Sequence, residues 1–250
     1  MLVQLMKLGR RVDAILFADT GGERPDIYAY GKMLSHWLEL NQMPPITVVK
    51  KGGIQETLEE NCLRLDMLPS LAYGFKGCSH KYKIEPQDKW VNNWQPARER
   101  WKSGGKVLKL IGYDMDEPHR AAIPEDAKYQ YAYPLLEWGW GREECLAAIA
   151  EAGLPQPGKS ACFFCPSTTK PEILALREQY PELLDRALHL EANAKESGNL
   201  KTVNGLGRRL NWGEFLSDYD ASIDASRVIA RTSDVPVACG CYDGGSSDDL

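Results

Sequence analysis

The sequence predicts an α/β domain on a parallel sheet, joined to a mostly helical, cysteine-bearing C-terminal part, and three observations carry that expectation. Short apolar runs at residues 12–19 (VDAILFAD), 46–51 (ITVVKK) and 107–114 (VLKLIGYD) read as strands, the first of the buried parallel type. Between the first two, Ile27, Tyr30, Met33, Leu34, Trp37 and Leu38 recur at helical spacing. Strands alternating with helices imply a parallel sheet with both faces covered.

Each further element follows from local pattern. Residues 2–8 read as the end of a helix stopped by Gly9, with no strand before it, so a βαβ unit lacks its first β. Helices are expected near 54–65, over 141–152 with Gly153 as the stop, and over 171–195, where Ile173, Leu176, Tyr180, Leu183, Leu184 and Leu188 share one side. Beyond Gly198 the pattern weakens, and GGSSDDL from Gly244 has the composition of a disordered tail. The resulting division is a nucleotide-binding α/β part over 1–133, a helical part over 134–243 and a tail over 244–250.

Composition bounds the function. The chain of 250 residues, 43% hydrophobic, can bury a real core. No apolar run reaches the roughly 18 residues of a membrane span, and MLVQLMKLGRR does not read as a signal peptide, so a cytoplasmic protein without a membrane partner is expected. Seven cysteines, an odd number without an export signal, favour metal binding, catalysis or burial over a disulfide framework. The net charge of −5 argues against a surface that coats nucleic acid. Residues 76–109 depart from that balance, with nine Lys or Arg against three Asp or Glu and with Trp90, Trp94 and Trp101 interleaved. This segment reads either as a stacking and phosphate platform for single-stranded nucleic acid or as tryptophans packing two halves together.

Four motifs carry chemistry. FADTGGERP places Asp19 and Thr20 at the carboxyl end of a strand, where open parallel sheets bind ligands, and Gly21 and Gly22 allow backbone to approach one. An ordinary capped turn is the alternative. IGYDMDEPHRA gathers Asp114, Asp116, Glu117, His119 and Arg120 after another strand, with Arg suited to phosphate and the acids to Mg²⁺ or a ribose, against the alternative of a solvated charged loop. GCSHKYKIEP sets Cys78 beside His80, Lys81 and Lys83, cationic neighbours that favour a thiolate. In KSACFFCPS, Cys162 and Cys165 are spaced to share one metal or cluster. Tetrahedral zinc or a cubane needs about four ligands, so Cys78 would be the third and Cys239 or Cys241 the fourth. A redox dithiol needs only the pair, and plain burial needs neither. Cys62 and Cys145 fall within amphipathic helices and read as core.

In this order the motifs resemble the phosphoadenosine phosphosulfate (PAPS) reductase-like family of the adenine nucleotide α-hydrolase superfamily, over nearly the whole chain. YPLLEWGWGREEC adds to KSACFFCP in the C-terminal portion. The likeness is closer to the branch holding phage-encoded relatives and the sulfur-transfer proteins of DNA phosphorothioation. It implies a Rossmann-like sheet binding ATP or another adenine nucleotide with Mg²⁺, cleavage at the α-phosphate, and displacement of the adenylate by sulfur. By the same resemblance, Asp19, Thr20, Gly21 and Gly112 would line the nucleotide, Lys81 and Lys83 would meet phosphate, and Asp114, Glu117 and Arg120 would act in catalysis. Cys78, Cys162, Cys165 and Cys241 would hold a [4Fe-4S] cluster, with zinc as the alternative metal. A nucleic acid substrate and a cysteine desulfurase or thioredoxin are the implied partners, and an oligomer is compatible.

The sequence departs from the family at one point. The phosphate-cradling Ser-Gly-Gly-x-Asp-Ser loop does not occur, and Ser103, Gly104 and Gly105 stand in the wrong context. A start codon assigned too late, or a truncation, accounts for this; loss of hydrolase activity in a binding protein is the rival. Without the family's central first strand, both neighbouring strands would keep unpaired edges. Two other function classes stay open. A thioredoxin-linked sulfonucleotide reductase would use Cys239 in ACGCYDGG as nucleophile, with Ala238 where the family's Glu stands. A non-catalytic nucleotide- or nucleic-acid-binding protein would keep only a structural metal.

Overall fold

The computed structural model describes residues 1–52 and 56–230, with side chains described as far as residue 223. The first helix, α1 (Leu2–Lys7), buries Val3 and Leu5 and ends where Gly9 adopts φ +64°. Strand β1 (Ile15–Ala18) leads into α2 (Pro25–Leu40), whose first residue is a proline with its φ pre-set for a helix. Strand β2 (Ile46–Val49) then pairs parallel with β1, from Ile15↔Ile46 to Ala18↔Val49. Helix α3 (Leu58–Arg64) begins at a capping box of Thr57 and Glu60, later than the start near 54 that periodicity suggests.

Residues 77–102 are helical almost throughout, as α4 (Gly77–Ser79), a π-helical turn (His80–Ile84), α5 (Glu85–Asn93) and α6 (Gln95–Lys102). Strand β3 (Val107–Leu110) pairs parallel with β4 (Tyr129–Ala132), from Val107↔Tyr129 to Leu110↔Ala132. A 3-10 turn (Pro118–Arg120) lies between them. Helices α7 (Pro134–Glu137), α8 (Arg142–Glu151), α9 (Lys170–Gln179), α10 (Pro181–Glu196) and α11 (Trp212–Ala230) complete the described chain. No helix of the described residues is long and apolar enough to cross a membrane.

The chain is mixed α/β with small parallel sheets, and the expected single sheet is divided. Among the described residues β1 pairs only with β2 and β3 only with β4. One edge of each pair's inner strand therefore carries free backbone groups. The strands are also less covered than the apolar runs suggested: Val48 and Leu108 are each 55% exposed, where a parallel sheet covered on both faces would bury them. Both pairs share a cover. Helix α5 lies against β1 and β2 and α6 against β3, and Leu16 joins Val91, Ala97, Val107 and Tyr129 in one core cluster.

Three further local expectations are corrected. The helix read over 171–195 is two, because Pro181 disfavours helical backbone at Tyr180, which takes φ −144°, ψ 65°. The weak pattern after Gly198 conceals α11, whose Trp212 is fully buried. Trp90, Trp94 and Trp101 are half-buried around Val91, Ala97 and Tyr129, and the Trp101 indole N–H donates to the Lys128 carbonyl at 2.8 Å. Their packing role is thus occupied by the helices' own cover of the strands.

The largest core cluster draws on both halves of the chain. Leu58, Cys62, Leu68, Ala72 and Tyr82 pack with Phe163, Phe164, Ile173, Leu184 and Trp212. Helix α10 is tied to α3 by Arg186, which forks the Glu59 carboxylate and lies 4.7 Å from the centre of the Phe163 ring. That packing brings the segment around Cys162 against the carboxyl end of β1.

Candidate functional site

The site begins where β1 ends. The Asp19 amide donates to the Val49 carbonyl at 2.9 Å, fixing the strand end, and the Asp19 side chain is buried. Its carboxylate accepts hydrogen bonds from the Gly21 amide (2.8 Å) and the Tyr28 hydroxyl (2.7 Å) and pairs with Lys50 (2.9 Å). Burial alone would raise the Asp19 pKa, but Tyr28, Gly21 and Lys50 outweigh it and hold the carboxyl below its ordinary value. Gly21 takes φ +77°, and a side chain there would strike Thr57, so the chain can turn from the strand end toward α3 only with glycine.

Thr20 joins this turn to the Cys-x-x-Cys segment. Its hydroxyl receives the Gly22 amide at 3.2 Å and lies 3.0 Å from the Cys162 sulfur. The Phe163 amide donates to the Gly22 carbonyl at 2.7 Å, and the Ser160 hydroxyl donates to Glu23 Oε2 at 3.1 Å. A Cβ on Gly22 would press on Phe164 and Cys162. Two motifs separated by well over a hundred residues thus interlock into one surface. The Leu58 amide, donating to the Thr20 carbonyl at 3.0 Å, docks the start of α3 on the same turn.

The electrostatics are uneven. Glu23 is 4% exposed and its Oε1 is buried without a hydrogen-bond partner. Burial raises its pKa, against the pull of Lys83 and the Ser160 hydroxyl, and Asp19 adds to the rise. Burial likewise pushes the Cys162 thiol up to about 12, although Thr20 and Lys83 draw it down. Lys83 therefore acts on both buried acids. Lys81 is exposed, on the π-helical turn.

Cys78, Cys162 and Cys165 meet in one core cluster, and Cys62 is with them. Cys165 closes a turn by donating its amide to the Cys162 carbonyl at 2.9 Å, and its sulfur lies 3.0 Å from the Ser167 hydroxyl. The Cys78 amide donates to Ser70 Oγ at 2.6 Å. In kind, these donors suit a thiolate-bound metal or cluster. Among the described residues, no three His, Cys, Asp or Glu side chains already stand in a ligating array. Cys239 and Cys241 lie outside the described residues.

The second charged loop is organised elsewhere. Arg120 donates to Glu117 Oε2 at 2.6 Å and lies 4.4 Å from the Tyr113 ring centre, while Tyr113 stacks on Tyr133 at 5.9 Å. Asp114 Oδ1 accepts from the Asp116 amide at 3.1 Å, and the Met115 amide donates to the Trp140 carbonyl at 3.0 Å. Gly112 lies against Leu135 and Met1. Cys145, read from sequence as core, is half-buried; burial raises its pKa, the neighbouring Met1 amino group lowers it, and Asp114 raises it further. Among the described residues no hydrogen bond or ion pair joins this loop to Asp19–Glu23. Asp114, Glu117 and Arg120 are thus held by their own neighbours, while Asp19, Thr20, Gly21, Lys83 and the cysteines come together.

Compared with protein-family models, with curated proteins and with solved structures, the chain matches none of them.

Sequence reasoning missed several members of the site. Lys50 follows β2 directly, so the rule that ligands gather at strand ends was signal enough. Glu23 and Ser160 lie inside quoted motifs, yet nothing local marks them as partners. Tyr28 and Cys62 carried no signal, because each reaches the site only through helix packing.

Proposed function

We propose that the chain is a PAPS reductase-like adenine nucleotide-binding protein of the ATP pyrophosphatase and sulfur-transfer type, acting in nucleic-acid modification. The observation that carries this reading is the contact between Thr20 and Cys162, which sets a strand-end ligand turn directly against a thiol pair. Sulfur transfer to an activated adenylate needs those two features within reach of one substrate. The two parallel strand pairs under a shared helical cover support a Rossmann-like reading of the sheet.

In this reading Gly21 and Gly22 let backbone approach the nucleotide, while Lys50 and Lys83 supply positive charge for its phosphates. Asp19, held ionised by Tyr28, Gly21 and Lys50, would accept from a ribose hydroxyl or orient a water on Mg²⁺. Asp114, Glu117 and Arg120 would serve catalysis only if their loop met the same substrate. A thiolate-bound centre on Cys78, Cys162 and Cys165 would supply redox or sulfur-handling chemistry as an iron-sulfur cluster, or a fixed scaffold as zinc. A single-stranded nucleic acid would be the acceptor, with the basic surface of residues 76–109 as its approach.

Calorimetric titration with Mg·ATP, Mg·GTP and PAPS, followed by chromatography for AMP and pyrophosphate, tests the proposal. Saturable binding of an adenine nucleotide, weakened at least about tenfold, or about 1.4 kcal/mol, by Asp19→Asn, is expected. Absence of saturable binding to any adenine nucleotide overturns it. Reduction of PAPS to sulfite, lost in Cys239→Ala, would transfer the assignment to the reductase class.

A further inference from the structure

We infer that Cys62 is the fourth sulfur of the thiol centre formed with Cys78, Cys162 and Cys165, in the position the sequence reading gave to Cys241. The inference rests on the reading of that centre as a metal or cluster site. It concerns which residues of this chain complete it.

The placement is specific. Cys62 is 5% exposed on α3, a helix whose start is docked on the Thr20 carbonyl, and it packs in one core with Cys78, Cys162 and Cys165. Burial pushes its thiol up to about 12, and Cys78 and Cys162 are near enough to add to that rise. Sulfurs from α3, from α4 and from the Cys-x-x-Cys turn thus surround one point of the core. Four is the number that tetrahedral zinc or a cubane takes from a chain. The remaining described cysteine, Cys145, lies apart, beside the Met1 amino group.

Buried cysteines often serve only as small apolar residues. This cluster differs in its polar surroundings. The Thr20 hydroxyl and the Lys83 charge both favour the Cys162 thiolate, and Ser167 Oγ stands 3.0 Å from the Cys165 sulfur. Donors directed at sulfur orient and tune metal-bound thiolates, whereas an apolar thiol gains little from them. A bound cation would in turn deprotonate thiols that burial alone keeps neutral. Drawing the four sulfurs onto one ion asks for rotation of their side chains between staggered wells, not for movement of the helices.

The test uses the full chain purified anaerobically, with iron, sulfide and zinc measured per chain and the visible spectrum recorded. Wild type, Cys62→Ser, Cys62→Ala, Cys78→Ser, Cys145→Ser and the tail variant Cys239→Ser/Cys241→Ser are compared, with circular dichroism as the check on folding. Wild type is expected to hold one zinc or about four irons. The Cys62 and Cys78 variants should fall more than about tenfold in metal retained against a chelator, since loss of even an outer partner of a ligand costs that much. Cys145→Ser and the tail variant should keep the wild-type content. Loss of metal from the tail variant, with retention in the Cys62 variants, overturns the inference and leaves the metal reading intact. Wild type free of metal overturns both. Should the Cys62 variants fail to fold, the tail variant still decides, because the inference requires it to stay fully loaded.

Discussion

The hydroxyl of Thr20 lies 3.0 Å from the sulfur of Cys162, across 142 residues of sequence, and neither side chain is more than 9% exposed. The contact couples the state of the thiol to the ligand turn. Thr20→Val keeps the shape and removes the donor, so the Cys162 pKa should rise further and its alkylation at fixed pH should slow. Thr20→Ser should restore the wild-type rate. Mass-resolved alkylation of Cys162 across a pH series measures this, and equal rates in all three proteins would show that the contact carries no charge stabilisation.

Glu23 makes stability depend on pH. Its folded-state pKa is raised above the ordinary 4.5, so the folded state holds a proton that the unfolded state has already released. The associated stability is fully present below 4.5 and is lost as pH rises through the raised value. Glu191 is raised as well, chiefly by burial, and gives a slope of the same sign. The difference between wild type and Glu23→Gln isolates the first. Urea midpoints should converge with falling pH in a way that leaves the variant relatively more stable at neutral pH, and a pH-independent difference would contradict the assignment.

Lys83 and Lys81 should separate. Lys83 lowers the pKa of both Glu23 and Cys162, whereas Lys81 is exposed on the neighbouring turn. Lys83→Met is expected to weaken adenine nucleotide binding about tenfold, roughly 1.4 kcal/mol, and Lys81→Met by no more than about twofold. Parallel titrations of the two variants measure this.

Glu191 holds the loop that precedes α11. Its carboxylate, 3% exposed, accepts the amides of Leu206 (2.7 Å), Trp212 (3.0 Å) and Gly213 (3.1 Å). Glu191→Gln replaces one acceptor oxygen by an amide donor facing those N–H groups, and a loss of about 2–3 kcal/mol in urea unfolding is expected. Gly205→Ala should destabilise too, because a Cβ there would meet Glu191 Oε1 and the Asn211 backbone. The two substitutions share one contact and should be less than additive.

Much of the local structure was legible. The apolar runs at Ile15, Ile46 and Val107 became strands, and the spacing of Ile27, Leu34 and Leu38 became α2. Periodicity failed where boundaries depend on single residues, as at Tyr180 before Pro181, and where a helix carries a weak stripe, as in α11. Within the site, Asp19, Thr20, Gly21 and Cys162 could be named because their motifs are compact. The grouping of Lys50, Glu23 and Cys62 with them could not, since each belongs to a separate stretch.

By itself the sequence determined which segments form strands and helices and which short motifs carry donors, thiols and flexible backbone. These are local properties, set by side-chain periodicity and by the conformational freedom of glycine and proline. Tertiary structure alone decided that the strands pair two by two, that Asp114 and Arg120 keep to their own loop, and that Cys62 joins the thiols of Cys78 and Cys162. Such outcomes depend on packing between residues far apart in the chain, where shape and burial select the neighbours and no repeat in the sequence records them.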